Sequence, residues 1–144
     1  MASAQYHIIT KQDNTFVFHI EYYDASGDVV DLTGYTARLQ VRPNIQNKYK
    51  YLEITTYGVT GGGVTGDFLA GETGNSGVAG SGGISLNTGE TGGGFTGGIL
   101  ITADATTMGY VPAGNWCYGL DIIKGVTVSE LLTGRFIVED KVAR

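Results

Sequence analysis

The sequence lacks the features that stabilise secreted domains or anchor a protein in a membrane. It has a single cysteine, Cys117, so no internal disulfide can form and the fold must rest on packing alone. Residues 1–10 carry neither a basic start nor the apolar run of a signal peptide. No stretch approaches the roughly 18 to 20 apolar residues of a membrane span. We therefore expect a protein that is made in a cytoplasm and has no membrane partner.

Basic charge is also scarce. Nine lysines and arginines stand against 14 aspartates and glutamates, which gives a net charge of −5. Because a nucleic-acid partner calls for a basic patch, we do not expect one. The chain has only His7 and His19 as histidines, too few to build a catalytic triad or a metal site with one cysteine. The sequence predicts a protein that is not an enzyme and has no cofactor or metal.

Sustained helical periodicity is missing, and strand periodicity takes its place. Residues 35–42 alternate, with Leu39 and Val41 on one face and Arg38 and Gln40 on the other, until Pro43 ends the pattern. Similar alternation predicts strands at 15–23, 49–56, 99–102, 115–123, 126–128 and 135–139, with one helical turn at 104–108. About seven strands spaced by turns predict an all-β, immunoglobulin-like β-sandwich. The predicted core residues are Phe16, Phe18, Ile20, Leu39, Val41, Trp116, Tyr118 and Leu120.

Glycine is the one residue in excess. Of 24 glycines, 17 lie in residues 58–98, which we call the glycine window. Because glycine destabilises regular strands and helices, we expect this window to be a long loop inserted into a single domain spanning residues 1–144. Removing it leaves a length that suits one immunoglobulin-like sandwich.

Glycine occupies every third position from Gly71 to Gly83. That spacing suits a threefold extended helix, and the alternative is a flexible low-complexity loop. Scattered apolar residues argue against full disorder. We expect the window to become ordered by packing against neighbouring subunits, with partner contacts at Phe68, Leu69, Val78, Ile84, Leu86 and Phe95.

The remaining motifs give little support for a nucleotide-binding, metal-binding or reactive site. Two Gly-x-Gly-x-x-Gly matches, beginning at Gly61 and Gly92, lack the strand and helix that a dinucleotide site needs. The acidic turn at residues 24–31 has oxygen ligands but no closing glutamate, so we read it as a turn and not as a calcium loop. His19 is expected to be solvated or at an interface, and Cys117 to be a small residue in a half-buried strand.

Four segments together resemble a known group of proteins. They are residues 13–20, the run Val-Asp-Leu-Thr-Gly-Tyr-Thr-Ala-Arg-Leu-Gln-Val-Arg-Pro at 30–43, residues 111–121 with Pro-Ala-Gly-Asn-Trp-Cys-Tyr-Gly-Leu-Asp, and residues 131–138 with Leu-Leu-Thr-Gly-Arg-Phe-Ile-Val. In order and spacing they resemble small immunoglobulin-like proteins encoded among the tail and virion genes of tailed bacteriophages. The N-terminal domain of the phage baseplate upper protein family is similar. The glycine window has no counterpart in that pattern.

The resemblance implies a non-enzymatic virion component that joins one part of a particle to another. Its expected partners are other virion proteins and copies of itself, in the tail, baseplate or neck. Two alternatives stay open: a decoration protein that seals joints in the capsid, and a host-recognition module whose glycine loops bind surface glycan. Location on the particle separates the first two hypotheses, and loss of adsorption after deletion of residues 71–83 would indicate the third.

Overall fold

A computed structural model describes residues 4–12, 14–44, 51–56, 58–60, 79–80, 82–89, 93–109, 111 and 113–140. Strands dominate this part of the chain, and one short helix accompanies them. The elements are β1(Ala4–Gln5), β2(Ile8–Lys11), β3(Phe16–Glu21), β4(Thr36–Arg42), β5(Leu52–Thr55), β6(Gly58–Thr60), β7(Ala79–Gly80), β8(Gly82–Thr88), β9(Gly94–Ala103), α1(Ala105–Gly109), β10(Gly114–Lys124) and β11(Thr127–Glu139).

The strands form two sheets packed as a sandwich, which confirms the predicted all-β class and sandwich architecture. The large sheet runs β1-β11-β10-β4-β5-β6-β7, with β2 continuing the line of β1 along β11. The small sheet has the order β3-β9-β8. Neighbours are antiparallel except that β1 and β2 lie parallel to β11.

The core is centred on β4 and β10, which pair in antiparallel register with Leu39 opposite Leu120 and Val41 opposite Tyr118. Alternation buries every second residue of these strands, because successive side chains of a strand point to opposite faces. Of the predicted core residues, five are buried: Phe16, Leu39, Val41, Tyr118 and Leu120. The other three, Phe18, Ile20 and Trp116, are half-buried and pack against the same core.

The glycine window is not one continuous loop, and this corrects the prediction for its second half. Strand β8 and the first half of β9 lie inside residues 58–98, and these strands are two of the three in the small sheet. Glycine is tolerated there because backbones approach closely: a Cβ added to Gly98 would collide with the carbonyl of Thr88, and one added to Gly82 with that of Thr102. Gly80 and Gly83 also lie in paired strands, so the threefold helix is wrong at that end. The rest of that prediction, at Gly71, Gly74 and Gly77, lies outside the described residues.

Two predictions about the C-terminal third have different outcomes. The helical turn is confirmed as α1, whose Met108 is fully buried and donates its N–H to the carbonyl of Asp104 at 3.0 Å. The two short strands predicted at 126–128 and 135–139 are instead one strand, β11. It continues through Thr133 and Gly134 because β10 pairs with it on one side and β1 on the other.

Candidate interaction surface

The polar corner between β3 and β4 is held by a dense set of hydrogen bonds. The Oδ1 of Asp31 accepts bonds from the N–H of Thr33 at 3.0 Å, the hydroxyl of Thr33 at 2.7 Å and the Nδ2 of Asn87 at 3.0 Å. The hydroxyl and N–H of Thr33, with Asn87, hold the pKa of Asp31 below its usual value because they stabilise the carboxylate. The corner is therefore a rigid turn.

Asn87, inside the glycine window, links this corner to the small sheet. Its Oδ1 accepts the N–H of Leu32 at 3.0 Å and the N–H of Gly97 at 3.1 Å. Its backbone has a φ of 55°, a left-handed conformation that asparagine tolerates better than most residues. This residue was not identified from the sequence. The only feature of the sequence that could have indicated it is an asparagine near the end of β8, after the residues that alternate between apolar and polar.

The acidic turn before the corner is also a self-contained structure. The Oδ1 of Asp24 accepts the N–H groups of Ser26 at 2.9 Å and Asp28 at 3.0 Å. Such bonds are those of an Asx turn, in which the carboxylate satisfies the backbone. Within the described ranges, no cluster of three or more histidine, cysteine or acidic side chains is arranged to hold a metal ion.

Both histidines bond to the backbone, which differs from the solvated position expected for His19. The Nε2 of His19 donates to the carbonyl of Thr88 at 2.9 Å, and its ring meets Phe95 edge-on with centroids 6.5 Å apart. The Nδ1 of His7 accepts the N–H of Arg135 at 3.1 Å. Each imidazole therefore fastens one strand to a neighbouring segment.

A cleft of about 660 Å³ lies on the outer face of the large sheet, across β4, β10 and β11. Gly119 on β10 pairs with Gln40 on β4 and with Thr133 on β11. Because it has no side chain, the cleft is deeper at this position. The wall beside it contains the ion pair between Arg38 and Asp121, whose atoms are 3.1 Å apart.

Cys117 also lies in this cleft and is half-buried, in agreement with its predicted position. Burial raises the pKa of its thiol, an effect that the nearby Arg135 and Arg42 only partly oppose. Because the thiolate is the nucleophile, a raised pKa keeps this cysteine in its unreactive form near neutral pH. The cleft presents a polar, hydrogen-bonded surface with an inert thiol.

Three exposed apolar side chains lie on a different part of the molecule, while Val126 and Val128, which are 100 and 51% exposed, lie apart at the β10–β11 turn. Tyr6, Ile9 and Val17 are 54, 64 and 57% exposed, and they lie where β2 and β3 form neighbouring edges of the two sheets. A groove of about 190 Å³ runs between these edges, lined by residues 6–10 and 15–18. We call this region the β2–β3 side. Neither Ile9 nor Val17 is among the partner contacts predicted from the sequence.

The predicted partner contacts do not form one surface. Ile84 is 4% exposed and belongs to the chain's own core, so its predicted contact with a partner is wrong. Leu86 is half-buried against that core, because it lies two positions after Ile84 on the inward face of β8. Phe95 is 42% exposed. The remaining three, Phe68, Leu69 and Val78, lie outside the described residues.

Comparison with known proteins adds no relative. No protein-family model matches the chain, and no curated protein matches its sequence significantly. Among the described residues, no helix is both long and apolar enough to cross a membrane.

Proposed function

We propose that this chain is a non-enzymatic structural protein of a tailed-phage virion that joins subunits of the tail, baseplate or neck. The observation that carries the proposal is the β2–β3 side, where Tyr6, Ile9 and Val17 are each more than half exposed beside two strand edges. Exposed apolar side chains beside open strand edges are typical of regions that contact another protein. Contacts of this kind fasten one subunit to the next through main-chain and apolar groups.

The strand order supports the finer, immunoglobulin-like part of the proposal. In variable-type immunoglobulin domains the sheet of strands C, F and G is extended by two further strands, and strands B, E and D belong to the other sheet. Here β4, β10 and β11 are extended by β5 and β6, and β3, β9 and β8 form the second sheet. This order agrees with the resemblance of residues 30–43 and 111–121 to the phage proteins.

The use of the reactive side chains supports a structural role. His7 and His19 bond to the backbone, Asp31 stabilises a turn, and Cys117 has a raised pKa. Catalytic groups usually converge in one pocket with pKa values suited to proton transfer or attack. Asp31 lies at the corner and His19 on an edge strand. His7 and Cys117 both line the cleft, but the Nδ1 of His7 is occupied there by the N–H of Arg135.

Labelling of purified particles tests the proposal. Antibodies raised against the folded chain are expected to decorate the tail, baseplate or neck in electron micrographs of phage particles from the host that makes the chain. Label on the capsid shell would instead support the decoration protein. Particles that carry no label, and no peptide of this chain by mass spectrometry, would reject a virion role altogether.

A further inference from the structure

Within the described residues, strand β3 pairs with β9 on one side and with no strand on the other. The N–H of Tyr22 donates to the carbonyl of Gly97 at 2.8 Å, which sets the alternation of hydrogen-bonded pairs along the ladder. In an antiparallel ladder, both backbone groups of every second residue point to the same neighbour. The N–H and C=O groups of Val17, His19 and Glu21 therefore point away from β9. None of these six groups has a backbone partner in the described part of the chain.

The edge strands of the two sheets are not equally protected against pairing. Natural proteins blunt exposed edges with lysine, proline or a bulge. Strand β2 ends in Lys11, and β8 carries a register shift between Leu86 and Thr88. Strand β3, with the sequence Phe-Val-Phe-His-Ile-Glu, has no lysine, no proline and no register shift. Its one charged residue, Glu21, lies at the end of the strand and accepts the hydroxyl of Tyr23. An edge without such devices is a surface suited to pairing.

The inward side chains of β3 are also less covered than those of its neighbour β9. Phe18 and Ile20 are only half-buried, whereas the residues opposite them on β9, Ile101 and Ile99, are completely buried. The difference arises because β9 has a strand on each side and β3 has one. A strand added beside β3 would place its inward side chains next to Phe18 and Ile20 and cover them.

The position of β2 indicates which kind of partner can bind at the edge of β3. The groove between β2 and β3 is lined by both strands, so β2 of the large sheet lies alongside the open edge of the small sheet. A second whole copy joined at β3 would also bring its own β2 towards this groove. A single extended segment adds only one strand, which would lie about 4.8 Å from β3.

We propose that β3 binds one extended segment of a partner polypeptide as an added strand, with apolar side chains at alternate positions facing Phe18 and Ile20. The proposal rests on the proposed function and names the kind of partner that the β2–β3 side takes. The backbone groups of Val17, His19 and Glu21 supply affinity, and the half-buried inward side chains select the alternating apolar pattern.

The test uses the full chain and a defined probe peptide, Lys-Thr-Val-Thr-Val-Thr-Val-Thr-Lys, whose alternating valines match the vacant inner positions. Amide hydrogen exchange, read residue by residue by NMR, is expected to slow about tenfold or more at Val17, His19 and Glu21 when the peptide is bound. The amide of Phe18 already bonds to β9 and is expected to change little. A matched peptide with proline in place of the central valine is expected to bind at least about tenfold more weakly.

A variant of the chain tests the edge itself. Val17→Pro removes an outward N–H without removing a bond to β9, so the fold is expected to persist while the affinity for the valine peptide falls about tenfold. Val17→Thr keeps the N–H at the same position and is expected to stay within about threefold of the parent affinity. Val17→Lys keeps the N–H but places on the edge a lysine, which disfavours strand pairing. It provides a second variant with lowered peptide affinity if the proline variant does not fold.

Three results would overturn the proposal. The first is unchanged exchange of the outward amides at about 1 mM peptide, the weakest affinity expected of such a site. The second is equal binding by the Val17→Pro and Val17→Thr chains. The third is dimerisation of the free chain that Val17→Lys abolishes, because a second copy would then occupy the edge. Antibody labelling of particles is independent of all three, so the virion role can stand when the strand-addition site fails.

Discussion

The side-chain oxygen of Asn87 accepts a hydrogen bond from the backbone N–H of Leu32, 55 positions earlier in the chain, at 3.0 Å. The same oxygen accepts the N–H of Gly97 at 3.1 Å, so one amide group ties the corner before β4 to the hairpin of β8 and β9. Because Leu32 is only 1% exposed, its N–H has no easy access to water if this bond is lost. The junction between the two sheets at this end therefore depends on Asn87.

Replacing Asn87 should destabilise the fold in two separable ways. Asn87→Gly keeps the left-handed backbone but leaves the N–H groups of Leu32 and Gly97 without their acceptor, and we expect a loss of roughly 2 to 4 kcal/mol. Asn87→Ala adds the steric cost of alanine at a φ of 55° and should lose about 1 kcal/mol more. Urea unfolding followed by tryptophan fluorescence measures both values.

The matched control for these variants is Asn115→Ala. Asn115 is an exposed asparagine that accepts one bond from Arg135 at 3.1 Å. Its removal should change the free energy of unfolding by no more than about 0.5 kcal/mol. If Asn87→Gly and Asn115→Ala lose equal stability, the linking role of Asn87 is refuted.

The carboxyl group of Asp31 should make the fold sensitive to acid. Its folded-state pKa is lowered, chiefly by the hydroxyl of Thr33 and then by the Thr33 N–H and Asn87. The carboxylate therefore contributes stability that is fully present above the unfolded pKa of about 3.9 and is lost as the pH falls through the lower folded value. Carbon NMR titration should show a higher pKa for Asp31 in Thr33→Val than in the parent chain. An equal pKa in the two proteins would contradict the assigned cause.

Strand alternation was enough to predict the centre of the sandwich. Residues 35–42 and 115–123 have one apolar and one polar face, and local periodicity of this kind survives in β4 and β10 whatever their neighbours are. Strand β8 was missed because glycine density indicated a loop. Its glycines accommodate backbone approach by β9, a contact that only the folded chain reveals.

The candidate surface was less predictable than the core. Ile9 and Val17 are ordinary apolar residues in the sequence, and their exposure follows from which strands lie at sheet edges. Edge position depends on pairing between distant segments, such as β2 with β11. The wrong prediction of a partner contact at Ile84 has the same origin. Ile84 is buried because it belongs to a strand that is covered by the other sheet.

The phenol of Tyr118 should make the fold sensitive to alkali. Burial raises the pKa of Tyr118 to about 12, and its hydroxyl donates to the carbonyl of Tyr6 at 2.6 Å. The neutral phenol therefore contributes stability that is fully present below the unfolded pKa of about 10 and is lost as the pH rises towards the folded value. Tyr118→Phe should lose about 1 kcal/mol at neutral pH and flatten the decline between about pH 10 and 12.

Spectrophotometric titration of the tyrosines checks the same assignment. Among the described tyrosines, Tyr118 is expected to ionise near pH 12, and this transition should be missing from Tyr118→Phe. Tyr35→Phe serves as the control and should leave that late transition in place. Tyr23 is unsuitable as a control because its hydrogen bond to Glu21 also raises its pKa. A late transition that survives in Tyr118→Phe would show that another tyrosine is responsible.

Gly134 controls how the N-terminal strand reaches the large sheet. A Cβ at this position would collide with the carbonyl of Tyr6, the same group that accepts the Tyr118 hydroxyl. Gly134→Ala should therefore push β1 away from β11 and lower the free energy of unfolding by about 1 to 3 kcal/mol. Gly94→Ala, where the added methyl group meets nothing within 4 Å, should change it by less than about 0.5 kcal/mol. Amide exchange at Tyr6, which donates to Thr133 at 3.0 Å, should accelerate only in the Gly134 variant, and equal exchange in both would show that β1 tolerates the extra methyl group.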